Sequence, residues 1–241
     1  MRRAICIGVI VAMIAVGVAG CRSGQWRNDA NAGSDAGQAW QREFKLSQRT
    51  LVPTGRNRFF ILEPGFQCIF EGDGEKLAIT VLAETRDVAG VTTRVVEERE
   101  WKDGRLAEVS RNFFAMDAQT EDVFYFGEEV DDYKDGKLVG HGGAWLAGKN
   151  DAKPGLIMPG EPRLYMRYYQ EIAPGVAMDR AEVVSLDATL QTPAGTFTRC
   201  LRTQEGTALN PQEKEYKTYA PGIGLIQDAD LLLTTHGFVP K

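Results

Sequence analysis

The sequence predicts a mostly β protein: a large antiparallel meander, forming a curved sheet or half-barrel, behind an N-terminal signal segment and a flexible tether. Three observations carry this reading. Apolar and β-branched residues alternate with polar ones over short stretches from Arg58 onward. Those stretches are punctuated by Gly72-Asp73-Gly74, Asp103-Gly104, Asp135-Gly136 and Pro193-Ala194-Gly195, which are turn sequences. No long stretch keeps the 3.6-residue period of an amphipathic helix.

The chain begins with a basic head, Arg2 and Arg3, followed by the uncharged run Ala4 to Gly20. This is the pattern of a secretory signal. The run is close to the shortest that spans a bilayer, roughly 17–25 residues, so a single-pass anchor is the competing reading. Val18-Ala19-Gly20-Cys21 decides between them, because it resembles the lipobox of bacterial lipoproteins. The resemblance implies cleavage before Cys21 and acylation of its sulfur through a thioether. Each buried methylene adds about 0.8 kcal/mol, so several acyl chains hold far better than one. Arg22 follows, where lipoproteins retained in the inner membrane usually carry Asp. The expected location is therefore the cell envelope, lipid-anchored with the domain facing the periplasm or exterior, with the outer membrane favoured.

Residues 21–50 read as the acylated cysteine and its tether, because 22–50 are polar, Gly/Ala/Asp/Asn-rich and without sustained period. Trp26 and Trp40 are its aromatic docking candidates, and a short helix is possible around Gln38–Ser47. Residues 51–241 form one β domain, long enough for a real core.

Within that domain the expected strands are Phe59–Leu62, Phe66–Phe70, Leu77–Ala83, Val91–Trp101, Leu106–Phe114, Glu121–Asp132 and Leu138–Leu146. Gly148–Pro162 carries three prolines and reads as a loop, yet holds the apolar triplet Leu156-Ile157-Met158, which must cover a core edge or a groove. Tyr165–Ile172, Ala181–Gln191, Thr196–Thr203, Lys214–Tyr219 and Leu225–Phe238 complete the meander. The hairpins at Asp103-Gly104 and Asp135-Gly136 share turn chemistry 32 residues apart, too locally to define a repeat fold.

Loss of residues 1–20 leaves 26 basic residues against 33 acidic ones, a formal charge of −7. No Lys/Arg cluster can track a phosphate backbone, which argues against nucleic acid as a partner. Of four cysteines, Cys68 and Cys200 remain in the domain; a disulfide and two separate buried thiols are both open readings.

From about Arg58 to Phe238 the chain resembles a widespread bacterial family of secreted proteins and lipoproteins of unknown function. The matching text is Val95–Trp101, Tyr125-Phe126-Gly127-Glu128, Tyr168–Ala177 and Tyr219–Leu225. The resemblance implies no reaction and no catalytic residues. Tyr219-x-Pro221-Gly222-x-Gly224-Leu225 near the end of a meander is also similar to periplasmic half-barrel proteins of the lipoprotein-carrier type. That resemblance implies one sheet curved around an apolar cavity.

The chemistry-bearing candidates are few. Glu128, Glu129, Asp131, Asp132 and Asp135 suggest paired carboxylates or calcium, although Gly142 stands where an EF-hand needs its bidentate carboxylate. His141 and His236 are the only histidines, and no Gly-x-Ser-x-Gly elbow, phosphate loop, dinucleotide fingerprint or zinc spacing occurs. No catalytic residue, cofactor or metal is therefore expected. The first expectation is a non-enzymatic domain that binds an apolar ligand or envelope protein through Phe124, Phe126, Tyr168, Leu156, Ile157 and Met158. A carboxylate- or calcium-dependent hydrolase and a structural or assembly protein are the alternatives.

Overall fold

The structure is a computed structural model that describes residues 39–239. Cys21, the signal segment and Trp26 lie outside the described residues.

A 3-10 turn at Leu46–Gln48 precedes β1 (Leu51–Val52), β2 (Arg56–Asn57) and β3 (Phe60–Ile61). Five long hairpin-linked strands follow: β4 (Phe66–Gly72), β5 (Glu75–Val88), β6 (Val91–Lys102), β7 (Arg105–Asp117) and β8 (Val123–Lys134). Shorter pieces come next: β9 (Lys137–Gly140), β10 (Trp145–Leu146), β11 (Lys153–Met158), β12 (Arg167–Tyr169) and β13 (Glu171–Ile172). The second set of meander strands is β14 (Asp179–Thr192), β15 (Gly195–Thr207), β16 (Glu215–Ala220), β17 (Gly224–Asp228) and β18 (Leu231–Phe238).

The expected antiparallel meander is present, and it goes further than a half-barrel. The sheet runs β12-β14-β15-β16-β17-β18-β4-β5-β6-β7-β8-β11-β13 and nearly closes. Its two edge strands, β12 and β13, are consecutive in the chain and separated by Gln170 alone. The two edges therefore meet at one residue. Pairing of β18 with β4 joins the two ends of the domain's chain in the middle of the sheet.

Local chemistry explains the hairpins. Asp73-Gly74, Asp103-Gly104 and Asp135-Gly136 each place two successive residues at positive φ. This is the twist a two-residue hairpin needs, and Asp-Gly supplies it at low cost. Ala89-Gly90 does the same between β5 and β6, where no turn dipeptide announces it.

Several expected elements change. Gly148–Pro162 is not all loop: β11 pairs with both β8 and β13 and carries the apolar triplet inside the sheet. Leu138–Leu146 divides into β9 and β10, Tyr165–Ile172 into β12 and β13, and Leu225–Phe238 into β17 and β18. The packed body also starts before residue 51. Gln41 bridges Tyr168, and the Phe44 ring lies edge-on to Phe124 at 5.8 Å. Arg49 binds Asp117 at 2.8 Å and Asp122 at 2.7 Å. Residues 41–52 thus form a clasp across β7 and β8, so residues 41–50 pack with the β domain and are not part of the expected tether.

Candidate functional site

The strand registers sort side chains onto two faces. Phe114 pairs with Tyr125, and their rings stack with centroids 4.7 Å apart. Phe114, Val81, Val96, Cys68 and Tyr219 border one apolar cavity. The cavity takes walls from β4–β7 and β11 on one side and β16–β17 on the other, so it lies within the curve of the sheet. Phe59, Phe60 and Ile61, from the small β2–β3 hairpin, border it as well. The cavity is partly open and holds about 60 Å³. That is room for a few waters or a short alkyl or aryl group, since one water needs roughly 10–15 Å³ on this measure.

The six predicted ligand residues divide. Ile157 and Met158 border the cavity. Leu156 pairs with Phe124, which also pairs with Ala115; this set occupies the opposite face, under Phe44 and Arg49. Phe126, two residues on from Phe124 and fully buried, shares that outer face. Phe124, Phe126 and Leu156 are therefore buried on that other face, Phe124 beneath the clasp, and do not line the cavity. Tyr168 is fully buried elsewhere in the interior, and its hydroxyl has no hydrogen-bond partner among the described residues.

One carboxylate stands in the cavity wall. Glu98 is 3 % exposed, and its Oε1 atom has no hydrogen-bond partner among the described residues. Burial pushes its pKa up to about 7; Lys217 pulls it down, and Asp228 pushes it further up.

Behind Glu98 lies a buried polar cluster. Lys217 has no exposed side-chain surface and sits 3.3 Å from Asp228 and 3.9 Å from Glu205. Glu205 accepts hydrogen bonds from Thr203 at 2.7 Å and Tyr219 at 3.2 Å. Burial raises the Glu205 carboxyl, against the attraction of Lys217 and hydrogen bonds from Thr203 and Gln170. Burial also opposes the charge on Lys217, but Asp228, Glu205, Glu215 and Glu98 outweigh it and hold the ammonium protonated. Burial takes Glu215 to about 8 and Asp179 to about 7.

Sequence reasoning missed this cluster. Its signal is phase: Glu215 and Lys217 alternate in step with Tyr219, and Glu98 in step with Val96, so each charge points where its apolar neighbour points.

The acidic run 128–135 is divided between faces. Glu129 and Asp131 point away from the face shared by Glu128 and Asp132. Glu129 pairs with Arg86, Asp135 with Arg105 at 3.2 Å, and Asp131 with His141 at 2.9 Å. Asp132 accepts from the Gly142 N–H at 2.8 Å. Among the described residues no three acidic, histidine or cysteine side chains are grouped to hold a metal. Cys68 and Cys200 are separate buried thiols; burial pushes the Cys68 thiol up to about 12.

No family model, curated protein or solved structure matches the chain.

Proposed function

We propose that the protein is an envelope lipoprotein, tethered through acylated Cys21, whose β domain is a non-enzymatic module that binds an apolar ligand. The anchor rests on the basic head, the apolar run and Val18-Ala19-Gly20-Cys21; Arg22 favours the outer membrane. The binding role rests on one observation: an apolar, partly open cavity inside the sheet, bordered by Ile157, Met158 and five aromatic rings. Pockets for small ligands characteristically combine apolar walls with very few polar groups. The volume suits a short alkyl or aryl group, or the tip of a longer chain.

The splitting of the 128–135 carboxylates between two faces disfavours the hydrolase alternative. Two experiments test the proposal. Cys21→Ser should abolish metabolic labelling with palmitate and leave the leader uncut; a parent that takes up no label, or a variant still cleaved before residue 21, removes the anchor. Native mass spectrometry of gently extracted protein, with calorimetric titration of hexanol, tests the pocket. Bound apolar mass or hexanol uptake, lost in Ile79→Phe, is the expected result; neither binding removes the module reading.

A further inference from the structure

The geometry points to a more specific ligand: an apolar amine, whose ammonium group is received by Glu98 while its hydrocarbon part fills the cavity. This rests on the binding role proposed above and adds the identity of the polar end.

A buried acceptor without a partner costs free energy on the order of 1–3 kcal/mol, more when the group is charged. Among the described residues Glu98 Oε1 is such an atom, and Glu98 is the only carboxylate that borders the cavity. Everything else a ligand meets there is apolar or weakly polar, including Phe59, Phe60, Phe66 and Phe114. A ligand that offers a donor to Oε1 satisfies that atom, and an apolar ligand without one leaves it unsatisfied.

The surrounding charge selects among donors. Four carboxylates, those of Asp228, Glu205, Glu215 and Glu98, act on Lys217. Lys217 lies close to Asp228 and Glu205, so its charge is already directed toward them. No Lys or Arg borders the cavity among the described residues, so a ligand carboxylate or phosphate meets Glu98 there and finds no counter-charge. A neutral hydroxyl satisfies the hydrogen bond alone. An ammonium satisfies the hydrogen bond, adds a favourable charge, and meets aromatic faces that attract cations. Glu98, taken to about 7 by burial, with Lys217 opposing and Asp228 reinforcing the rise, can also be held ionised by an incoming cation.

The test uses the full processed protein and three probes of equal chain length: hexylamine, hexanol and hexanoate. Calorimetric titration at pH 7 should rank hexylamine first, hexanol weaker by about tenfold, and hexanoate undetectable. Glu98→Gln should remove the preference for hexylamine over hexanol, whatever it does to the absolute affinity of either. Because the ranking is read on the unaltered protein, it stands whether or not the variant folds. Equal binding of hexylamine and hexanol, or tighter binding of hexanoate, overturns the amine assignment and leaves the apolar module standing. No binding by any of the three overturns the amine assignment, and together with no bound apolar mass in native mass spectrometry it overturns the apolar module as well.

Discussion

Lys217 Nζ lies 3.3 Å from Asp228 Oδ1 in the interior of the sheet, with neither side chain more than 8 % exposed. The two residues face each other directly across β16 and β17. A buried ion pair is weak evidence of net stabilisation, because desolvation cancels much of the attraction. Breaking it is another matter: removing one partner strands the other charge. Lys217→Met should cost about 3–5 kcal/mol in urea unfolding at pH 7. Adding Asp228→Leu should restore part of that loss, since the stranded carboxylate is then gone. A single variant within 1 kcal/mol of the parent, by the same roughly 1 kcal/mol standard used for surface pairs, would contradict this account.

The carboxyls of this interior set the pH dependence of stability. Glu98 is raised to about 7, Glu215 to about 8 and Glu108 to about 9, each by burial first. Glu108 is pushed further by Glu100, Glu128, Asp132 and Glu98. Above the ordinary carboxyl range of about 4.3 the unfolded chain releases these protons and the folded chain keeps them. The folded state then binds more protons, so these groups make stability fall as pH rises. Their contribution is fully present below the unfolded pKa and is lost between about pH 4.3 and the folded values. Thermal melts should give a higher Tm at pH 5 than at pH 8. Glu108→Gln should flatten that slope and stabilise at pH 8 by on the order of 1–3 kcal/mol. A Tm that rises steadily from pH 5 to pH 8 in the parent would rule out this linkage.

The clasp is a third target. Arg49 donates through Nη1 to Asp117, Asp122 and Thr120, and through Nε to the Phe44 carbonyl. Its guanidinium also lies 4.8 Å over the Phe124 ring. One planar group thus ties the N-terminal segment to both ends of the β7–β8 connection. Arg49→Ala should destabilise by about 1–3 kcal/mol and speed amide exchange in residues 41–52. Arg49→Lys should rescue less than half of this, because an ammonium cannot reproduce the fork or the stacking. Full rescue by lysine would show that charge alone holds the clasp.

What was legible in the sequence follows from how local each signal is. Asp103-Gly104 and Asp135-Gly136 announce their hairpins because the turn's φ requirement falls on those two residues alone. The clasp is not legible, because Phe44 and Arg49 act through Phe124, Asp117 and Asp122, more than sixty residues away. β11 is hidden by Pro154-Gly155, a dipeptide that normally ends a strand. Lys217 reads as a solvated residue until its phase with Tyr219 is set against the closed curve of the sheet. Ile157 and Met158 were identifiable as cavity residues because an apolar triplet must be covered. Leu156, of the same triplet, and Phe124, an aromatic of β8, serve the other face.

Gly155 itself offers the sharpest test of how the sheet closes. A Cβ there would lie 2.2 Å from the Gln170 carbonyl oxygen, 2.3 Å from its carbon and 2.8 Å from the Glu171 nitrogen. All three are backbone atoms, at the residue where the two edges of the sheet meet, so no side chain can swing away to make room. The φ of Gly155 is not in the left-handed region, so the penalty comes from contact and not from torsion. Gly155→Ala should therefore cost about 1–3 kcal/mol or more, the range for overpacking a filled site. Amide exchange should rise in β11, β12 and β13 while β5 and β6 remain protected, because the seam opens before the long hairpins do. An alanine variant with parental stability and an unchanged exchange pattern would mean that β11 and Gln170 do not hold the barrel shut.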